Sequence, residues 1–325
     1  MNLLFYLLVF LLVLIVSSTT NKLLPFLPMP LIQILLGIGI GLCLPNNQYH
    51  LDTELFLALV IGPLLFREAQ EADVTSILKH WRIVLYLIFP VIFISALSMG
   101  GLAHVLWASL PLAACVAVGA ALGPTDLVAF ASLSQRFSFP KRVSNILKGE
   151  GLLNDASGLV AFRVALIAWT TGTFSLTQAG TSLAISIVGG FAVGFITALI
   201  NRFLHTFLLS VRATDIASEL LLELSLPLLT FFIAEEIHVS GIIAVVVAGI
   251  LKASRFKKIN LLEAQVDTVT ETVWQTVTFM LNGSVFVILG MELEMIAEPI
   301  LKSAFYNKVL LLLSVFLLTF LLFAI

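Results

Sequence analysis

The sequence predicts an all-α polytopic membrane protein, and two features of its composition lead to that prediction. Of its 325 residues, 60% are hydrophobic and 11% are charged, whereas soluble domains average about 45–50% apolar and about 25% charged residues. The apolar residues also gather in long runs, and a spanning helix needs about 20 mostly apolar residues. Helices are expected because a helix pairs its backbone groups within its own segment.

Eleven apolar segments account for most of the chain. They are predicted at residues 3–16, 23–45, 54–66, 83–101, 104–133, 145–170, 182–208, 219–234, 237–251, 273–291 and 307–325. About 11 transmembrane helices are therefore expected in one transmembrane domain over residues 1–325. Because the last apolar run reaches Ile325, we expect the final helices of that domain to lie beyond this chain.

Basic residues are concentrated at alternate connections between these segments. Cytoplasmic connections of membrane proteins carry an excess of Lys and Arg. The basic connections hold Lys22, Lys79 with Arg82, Lys141 with Arg142, Arg202 with Arg212, and Lys252 to Lys258. We therefore predict a multi-pass protein of the cell membrane, with these connections in the cytoplasm and the N-terminus outside.

Several function classes have no support in the composition. The net charge of −2, with basic residues scattered between apolar runs, argues against nucleic-acid binding. Cys43 and Cys115 both lie within apolar runs, where thiols usually behave as small buried hydrophobic groups. The five histidines are dispersed and the sequence lacks H-E-x-x-H. We expect neither an enzyme nor a bound cofactor.

Four ionisable residues lie deep within predicted helices: Asp126, Glu150, Asp155 and Arg163. An ionisable side chain at the centre of a spanning helix costs about 2.5–3.5 kcal/mol on insertion scales. Such residues therefore indicate a functional site unless a partner explains them. For Arg163, pairing with a carboxylate is favoured over a direct role at the site.

The fifth segment, about 30 residues from His104 to Leu133, is predicted to break at Gly123-Pro124-Thr125-Asp126. Proline removes a backbone donor and clashes with the preceding turn, and glycine tolerates the resulting conformations. A broken membrane helix exposes carbonyl groups that are tolerated where they line a cavity, and that can bind ions. The alternative is a proline kink with Asp126 as N-cap of the second half-helix, and both interpretations can hold together.

The sixth segment carries polar side chains at helical spacing. Glu150 and Asn154 are four residues apart and share one face, and Asp155 lies about 100° further round the helix. Carboxylate and amide oxygens are hard ligands that suit alkali and alkaline-earth cations. We interpret these residues as part of a cation site, and a polar contact between helices is the alternative.

Small residues in several segments predict close packing between helices. Gly37 with Gly41, and Gly190 with Gly194, are small-x-x-x-small pairs that let two backbones approach. The stretch SGIIAVVVAGI at 240–250 is interpreted in the same way.

Two motifs in neighbouring segments, GPTD (123–126) and GEGLLNDASGLV (149–160), resemble the monovalent cation:proton antiporter family, in the branch of NhaP-like antiporters and sodium/hydrogen exchangers. Weaker similarities follow in the same order as in that family, at IGPLLF (61–66), SGIIAVVVAGI (240–250) and LNGSVFVILG (281–290). The resemblance covers most of the chain. It implies an inverted-repeat fold of about 13 helices, a homodimer, and alternating access by a mobile core domain.

The resemblance also implies roles for the motif residues. Asp155 would bind cation and proton in turn, and Asn154 completes the Asn-Asp pair that the family associates with electroneutral exchange. Thr125 would supply an oxygen to Na+ or K+, and Glu150 would pair with an arginine of a later helix. The implied ion- and proton-binding residues are Asp155, Asn154, Thr125 and Asp126. The supporting residues are Glu150, Pro124 and Gly123, together with Arg163, which is included because its charge can pair with a carboxylate.

This chain departs from the family pattern in three places. Gly151 stands where relatives often have a serine that can ligate the ion. Phe66-Arg67-Glu68 stands where relatives often have Phe-Glu, so a charge has moved or reversed there. The chain also ends before the later helix that carries the partner of Glu150.

The predicted function is exchange of a monovalent cation for H+ across the lipid bilayer, through competition of cation and proton for Asp155. Na+ is the favoured cation, and K+ or Li+ would suit the same oxygen ligands. One titrating carboxylate predicts one proton per cation and so electroneutral exchange, whereas a second proton carrier at Asp126 would make it electrogenic. The alternative is a cation channel or a non-transporting membrane sensor that uses the same pocket.

Overall fold

The computed structural model describes residues 2–43, 52–72, 92–107, 110–123, 143, 147, 151, 157–158, 161–162, 164–170, 176–211, 215–253 and 261–302. Within these ranges the regular structure is entirely helical, as the sequence predicts. The helices are α1 (Asn2–Leu23), α2 (Met29–Cys43), α3 (Thr53–Phe56), α4 (Gly62–Glu71), α5 (Ile92–Leu106), α6 (Leu112–Leu122), α7 (Leu176–Ser210), α8 (Ile216–Glu236), α9 (Gly241–Ala253) and α10 (Leu261–Lys302).

Among the described residues, three helical stretches are long and apolar enough to cross a membrane: Ala184–Leu208, Ile216–Glu236 and Thr268–Leu293. Shorter apolar helices lie at Leu8–Leu23, Met29–Cys43, Phe93–Leu106, Leu112–Leu122 and Gly241–Ala253. All of these stretches overlap predicted segments. These stretches are apolar by composition, which is typical of helices surrounded by lipid and by other helices.

The predicted boundary between the fourth and fifth segments is wrong. Helix α5 continues through His104 to Leu106, and α6 begins only at Leu112. Pro111 precedes α6 with an extended backbone, φ −58° and ψ 143°, and proline disfavours a helical conformation for the residue before it. The neighbouring residues in this turn are apolar, so composition alone does not reveal it.

A π-helical turn, Leu57–Ile61, joins α3 to α4. Pro63 has no N–H to donate to the carbonyl of Leu59, and the hydrogen bonding shifts by one residue, with the Gly62 N–H donating to the Leu57 carbonyl. Asp52 caps the start of α3 by accepting from the N–H groups of Glu54 and Leu55.

The chain divides into two compact units. Unit 1 comprises residues 1–64, 215–220 and 258–308. In it, α2 packs against α10 at two glycines: a Cβ on Gly37 would strike the Val287 carbonyl, and a Cβ on Gly290 would strike the Ile34 carbonyl. The backbones of the two helices therefore touch, as the prediction for Gly37 requires.

Unit 2 comprises residues 65–214, 221–257 and 309–325. In it, α6 lies against α5, where Gly119 meets the Ala96 carbonyl. Helix α9 lies against α7, where a Cβ on Gly190 would be 2.7 Å from the Ser240 carbonyl oxygen and one on Gly194 would strike Ala244. The predicted packing roles of Gly190 and Gly194 are confirmed.

Helices α8 and α9 form a tight hairpin in unit 2. The Val239 N–H donates to the Ala234 carbonyl at 3.0 Å, and the His238 N–H donates to the Glu235 carbonyl at 2.9 Å. With His238 at φ 58°, this is a Schellman ending, in which the left-handed position is usually glycine. Glu235 then accepts from the Gly241 N–H at 3.2 Å, which caps the start of α9.

Candidate functional site

The predicted cation site falls almost entirely outside the described residues. The residues outside are Pro124, Thr125, Asp126, Glu150, Asn154, Asp155 and Arg163. Gly123 is described: α6 ends at Leu122, and Gly123 follows it with φ −71° and ψ −36°. Gly123 thus has a right-handed helical backbone, and the rest of the predicted break lies outside the described residues.

The described part of unit 2 contains a group of polar side chains, called here the Glu223 cluster and consisting of Gln70, Asn201, Glu223 and Lys252. Gln70 Nε2 donates to Glu223 Oε1 at 3.0 Å, and Lys252 Nζ lies 3.5 Å from Glu223 Oε2. One carboxylate on α8 therefore engages a side chain on α4 and a side chain on α9.

Asn201 brings a fourth helix into the cluster. Lys252 Nζ donates to Asn201 Oδ1 at 3.4 Å, and Asn201 Nδ2 donates to the Leu222 carbonyl at 3.5 Å. Asn201 lies on α7 and is buried. Its amide therefore bridges the ammonium group on α9 and the backbone of α8.

Burial and charge make this cluster costly to form. The side chains of Lys252 and Glu223 are 15% and 16% exposed. Removing two charges from water costs several kcal/mol per ion, which mutual attraction repays only with good geometry. The Lys252 contacts, at 3.4 and 3.5 Å, are longer than the roughly 2.7–2.9 Å of a strong charge-assisted hydrogen bond. The contacts of the Lys252 ammonium group are therefore longer than those of a close ion pair.

Helix packing holds these side chains at one end of α9. A Cβ on Gly249 would lie 2.6 Å from the Phe66 carbonyl oxygen and 2.7 Å from Ala69 Cβ, so α9 and α4 are in backbone contact. Lys252 follows Gly249 by three residues, and Gln70 follows Ala69 directly. The close glycine contact therefore brings both side chains within reach of Glu223.

The charges on α4 continue outward from this cluster. Arg67 Nη1 donates to Gln70 Oε1 at 3.5 Å, and Arg67 Nε lies 2.8 Å from Glu71 Oε1. The departure noted at Phe66-Arg67-Glu68 thus places a guanidinium between Gln70 and an exposed carboxylate, while Phe66 is fully buried.

Sequence reasoning missed the Glu223 cluster. Lys252 was interpreted as a cytoplasmic loop residue, and Gln70 and Asn201 carried no motif. The available signal was Glu223, an acidic residue inside the predicted segment 219–234, because an ionisable residue within an apolar segment indicates a function or a partner.

Comparison with known proteins identifies the family. The family described as sodium/hydrogen exchanger, transmembrane, matches residues 7–325. The chain belongs to this family. Members are transmembrane transporters by the family's own description, and the resemblance inferred from the GPTD and GEGLLNDASGLV motifs is confirmed.

Among curated relatives, two Bacillus proteins are each named a sodium, potassium, lithium and rubidium/H(+) antiporter. The one from Bacillus pumilus is 36% identical over 292 residues, covering 90% of this chain and 44% of the relative. The one from Bacillus subtilis is 36% identical over 304 residues, covering 93% and 45%. This family member therefore spans about half the length of these relatives.

Among solved structures, the chain is similar to the sodium proton antiporter MjNhaP1 from Methanocaldococcus jannaschii. The TM-score is 0.67 at 19% sequence identity, and the match covers 90% of this chain and 71% of that chain. The predicted antiporter-type helical fold is therefore confirmed.

Proposed function

We propose that this chain belongs to the membrane domain of a secondary antiporter that exchanges a monovalent cation for H+. Na+ is the proposed cation, with K+ and Li+ as further substrates. The family match over residues 7–325 is the observation that supports this most strongly. The two Bacillus relatives, whose names include sodium, potassium and lithium, support the same range of cations.

The proposed exchange site is Asp155. Deprotonated, its carboxylate would bind the cation together with oxygens of Asn154 and Thr125, and protonated it would carry H+ in the opposite direction. Asp126 would support the site, Glu150 would pair with an arginine of a later helix, and Arg163 would balance a carboxylate. Carboxylate, amide and hydroxyl oxygens are suitable ligands for a hard monovalent cation. Competition at one carboxylate makes the proposed exchange electroneutral.

The proposed arrangement in the cell membrane follows from the basic connections. The connections with Lys22 and with Lys252 to Lys258 would be cytoplasmic, and the N-terminus would be outside. The ends of α4 and α9 that carry Gln70 and Lys252 would then lie on the cytoplasmic side. A homodimer is proposed from the family resemblance.

The test is cation-evoked dissipation of a preset pH gradient in everted membrane vesicles. Na+, K+ and Li+ are added in turn to vesicles with this chain, with the complete protein that contains it, and with Asp155→Asn. Glu236→Gln serves as a matched control, because it also neutralises one carboxylate but lies at an exposed position. We expect dissipation with the complete protein and with the control, and none with Asp155→Asn.

The same measurement can overturn the proposal. A complete protein that is correctly inserted and gives no response to any of the three cations would contradict antiport. Cation conductance without coupled proton movement would instead favour a channel. A response that survives Asp155→Asn would place the exchange site elsewhere.

A further inference from the structure

Helix α8 contains a break in its hydrogen bonding at the same turn as the Glu223 cluster. Pro227 lies inside α8 and is fully buried. A proline within a helix cannot donate to the carbonyl four residues earlier, and its ring clashes with that carbonyl. For Pro227 that residue is Glu223. The turn that carries the cluster's central carboxylate therefore lacks one helical hydrogen bond.

Side-chain donors also reach the carbonyl of Leu222, directly before the Glu223 carbonyl that Pro227 leaves without its helical donor. The Leu222 carbonyl accepts from Asn201 Nδ2 at 3.5 Å and from Ser225 Oγ at 3.2 Å. The cluster and the proline are thus parts of one local arrangement.

The ion pair has the properties of a reversible contact. Its long distances and the desolvation of both charges leave little net stabilisation, so separating it costs less than separating close-packed backbones. Deeper in unit 2, α7 and α8 are joined by a short contact between buried side chains, in which Thr230 Oγ1 donates to Thr197 Oγ1 at 3.0 Å. The part of α8 beyond Pro227 is therefore held to α7. Before Pro227, Glu223 accepts from Gln70 Nε2 at the same 3.0 Å, and its contact with Lys252, at 3.5 Å, is the longer of the two and the one that can separate.

We propose that α8 has a hinge at Glu223–Pro227, and that Glu223 is a positioning residue whose ion pair with Lys252 sets the angle of that hinge. The pair would separate and re-form in each exchange cycle, which rests on the proposed antiport. Helix kinks have their cause at proline or at interrupted hydrogen bonding, and hinges absorb the backbone rotation of conformational steps that often limit turnover. The cluster acts on the rate of that step and does not bind the transported cation.

The experiment measures transport and thermal stability together in the complete protein. Pro227→Ala restores the N–H donor for the Glu223 carbonyl and so stiffens the hinge. Glu223→Gln and Lys252→Met remove the ion pair while preserving much of each side chain's size. Glu236→Gln is the control, since it neutralises an exposed carboxylate on the same helix.

We expect Pro227→Ala to lower the maximal exchange rate by about fivefold or more, with the KM for Na+ within about twofold of native. Its melting temperature should be equal to or above that of the native protein, because a helical hydrogen bond is gained. Lys252→Met and Glu223→Gln should change the maximal exchange rate in the same direction as each other, because both remove the ion pair. The KM for Na+ should again change little. If these residues only stabilised the fold, the maximal exchange rate would change only together with the melting temperature.

Two outcomes would overturn the hinge. One is a maximal exchange rate for Pro227→Ala within about twofold of that of the native protein. The other is that, in all three variants, the maximal rate falls only as far as the melting temperature falls. Should Pro227→Ala fail to fold, Lys252→Met decides by the same criterion. If native protein exchanges and Asp155→Asn does not, either outcome contradicts only the hinge. If native protein does not exchange, the antiport proposal fails and the hinge fails with it.

Discussion

Two regions of the molecule show two ways of joining membrane helices. In unit 1, α2 and α10 meet backbone to backbone at Gly37 and Gly290. In unit 2, α4, α8 and α9 are joined by the glycine contact at Gly249 and also by the Glu223 cluster. The first contact depends only on the fit of atoms, whereas the second adds charges that can separate. We therefore expect the α2–α10 contact to be a fixed joint and the contact around Glu223 to be an adjustable one.

The largest expected effect comes from breaking the fixed joint. Gly290→Ala places a methyl group against the Ile34 carbonyl, and backbone cannot move aside as a flexible side chain can. We expect a loss of about 1–3 kcal/mol in the free energy of unfolding, measured as a lower melting temperature in detergent. Gly39→Ala on α2 is the control, because a Cβ there meets no atom within 4 Å. Equal melting temperatures for the two variants would contradict the backbone contact.

A smaller loss is expected at the equivalent contact of unit 2. Gly249→Ala brings a Cβ to 2.6 Å from the Phe66 carbonyl oxygen, but α4 is only 10 residues long and adjoins a π-helical turn, so it can shift more easily than α10. We expect a loss of about 1–2 kcal/mol, seen as a melting temperature between those of Gly290→Ala and native protein. A drop as large as that of Gly290→Ala would show that the adjustable joint is as rigid as the fixed one.

The next effect tests a carboxylate that accepts a hydrogen bond from a backbone N–H group. Glu235→Ala removes the acceptor for the Gly241 N–H at the start of α9 and should cost about 1 kcal/mol, as loss of a helix cap usually does. Glu235→Gln keeps an acceptor oxygen and should cost less. Glu236→Ala, at an exposed position, should leave the melting temperature unchanged. The cap would be disproved if both alanine variants behaved alike.

The smallest effect concerns an exposed charge in unit 1. Asp215 accepts hydrogen bonds from the Ser218 hydroxyl and from the Ser218 N–H at 2.9 Å, and these lower the pKa of Asp215 below its ordinary value of 3.8. A lowered pKa in the folded state means that the carboxylate's stabilisation is present above the ordinary value and is lost as the pH falls through the folded one. We expect α8 to loosen at its first turn only below about pH 4.

Hydrogen exchange of the first-turn amides of α8 would measure this loosening. Asp215→Asn retains an oxygen that can cap the helix but does not titrate in this range. Protection that changes with pH in native protein and stays constant in Asp215→Asn is the expected result, and the same pH dependence in both proteins would exclude Asp215 as its cause.

Much of the fold follows from local patterns. The apolar runs predicted α7, α8 and α10 because burial of apolar surface is a property of each segment by itself. The glycine spacing also identified Gly37, Gly190 and Gly194 as contact positions, since only a residue without a side chain allows such an approach. The turn before Pro111 was missed because its residues are as apolar as the helices around it.

The candidate functional residues were also predicted only in part from the sequence. GPTD and GEGLLNDASGLV were sufficient to recognise the family, and Asp155 and its neighbours remain predictions because they lie outside the described residues. The Glu223 cluster was not predicted from the sequence. Its carboxylate could have been noticed as a charge within an apolar segment, but nothing local distinguishes Lys252, Asn201 or Gln70 as its partners.

The sequence by itself therefore determined that this chain crosses a membrane as helices and which positions allow close packing. Only the tertiary structure decided that Gln70 meets Glu223 across 153 residues of chain and that Lys252 meets Asn201 across 51. The physical reason is that the transfer of apolar side chains from water is a sum over neighbouring residues. A charge's partner instead depends on which helices become neighbours, because electrostatic contacts act over a few ångströms in space without regard to separation along the chain.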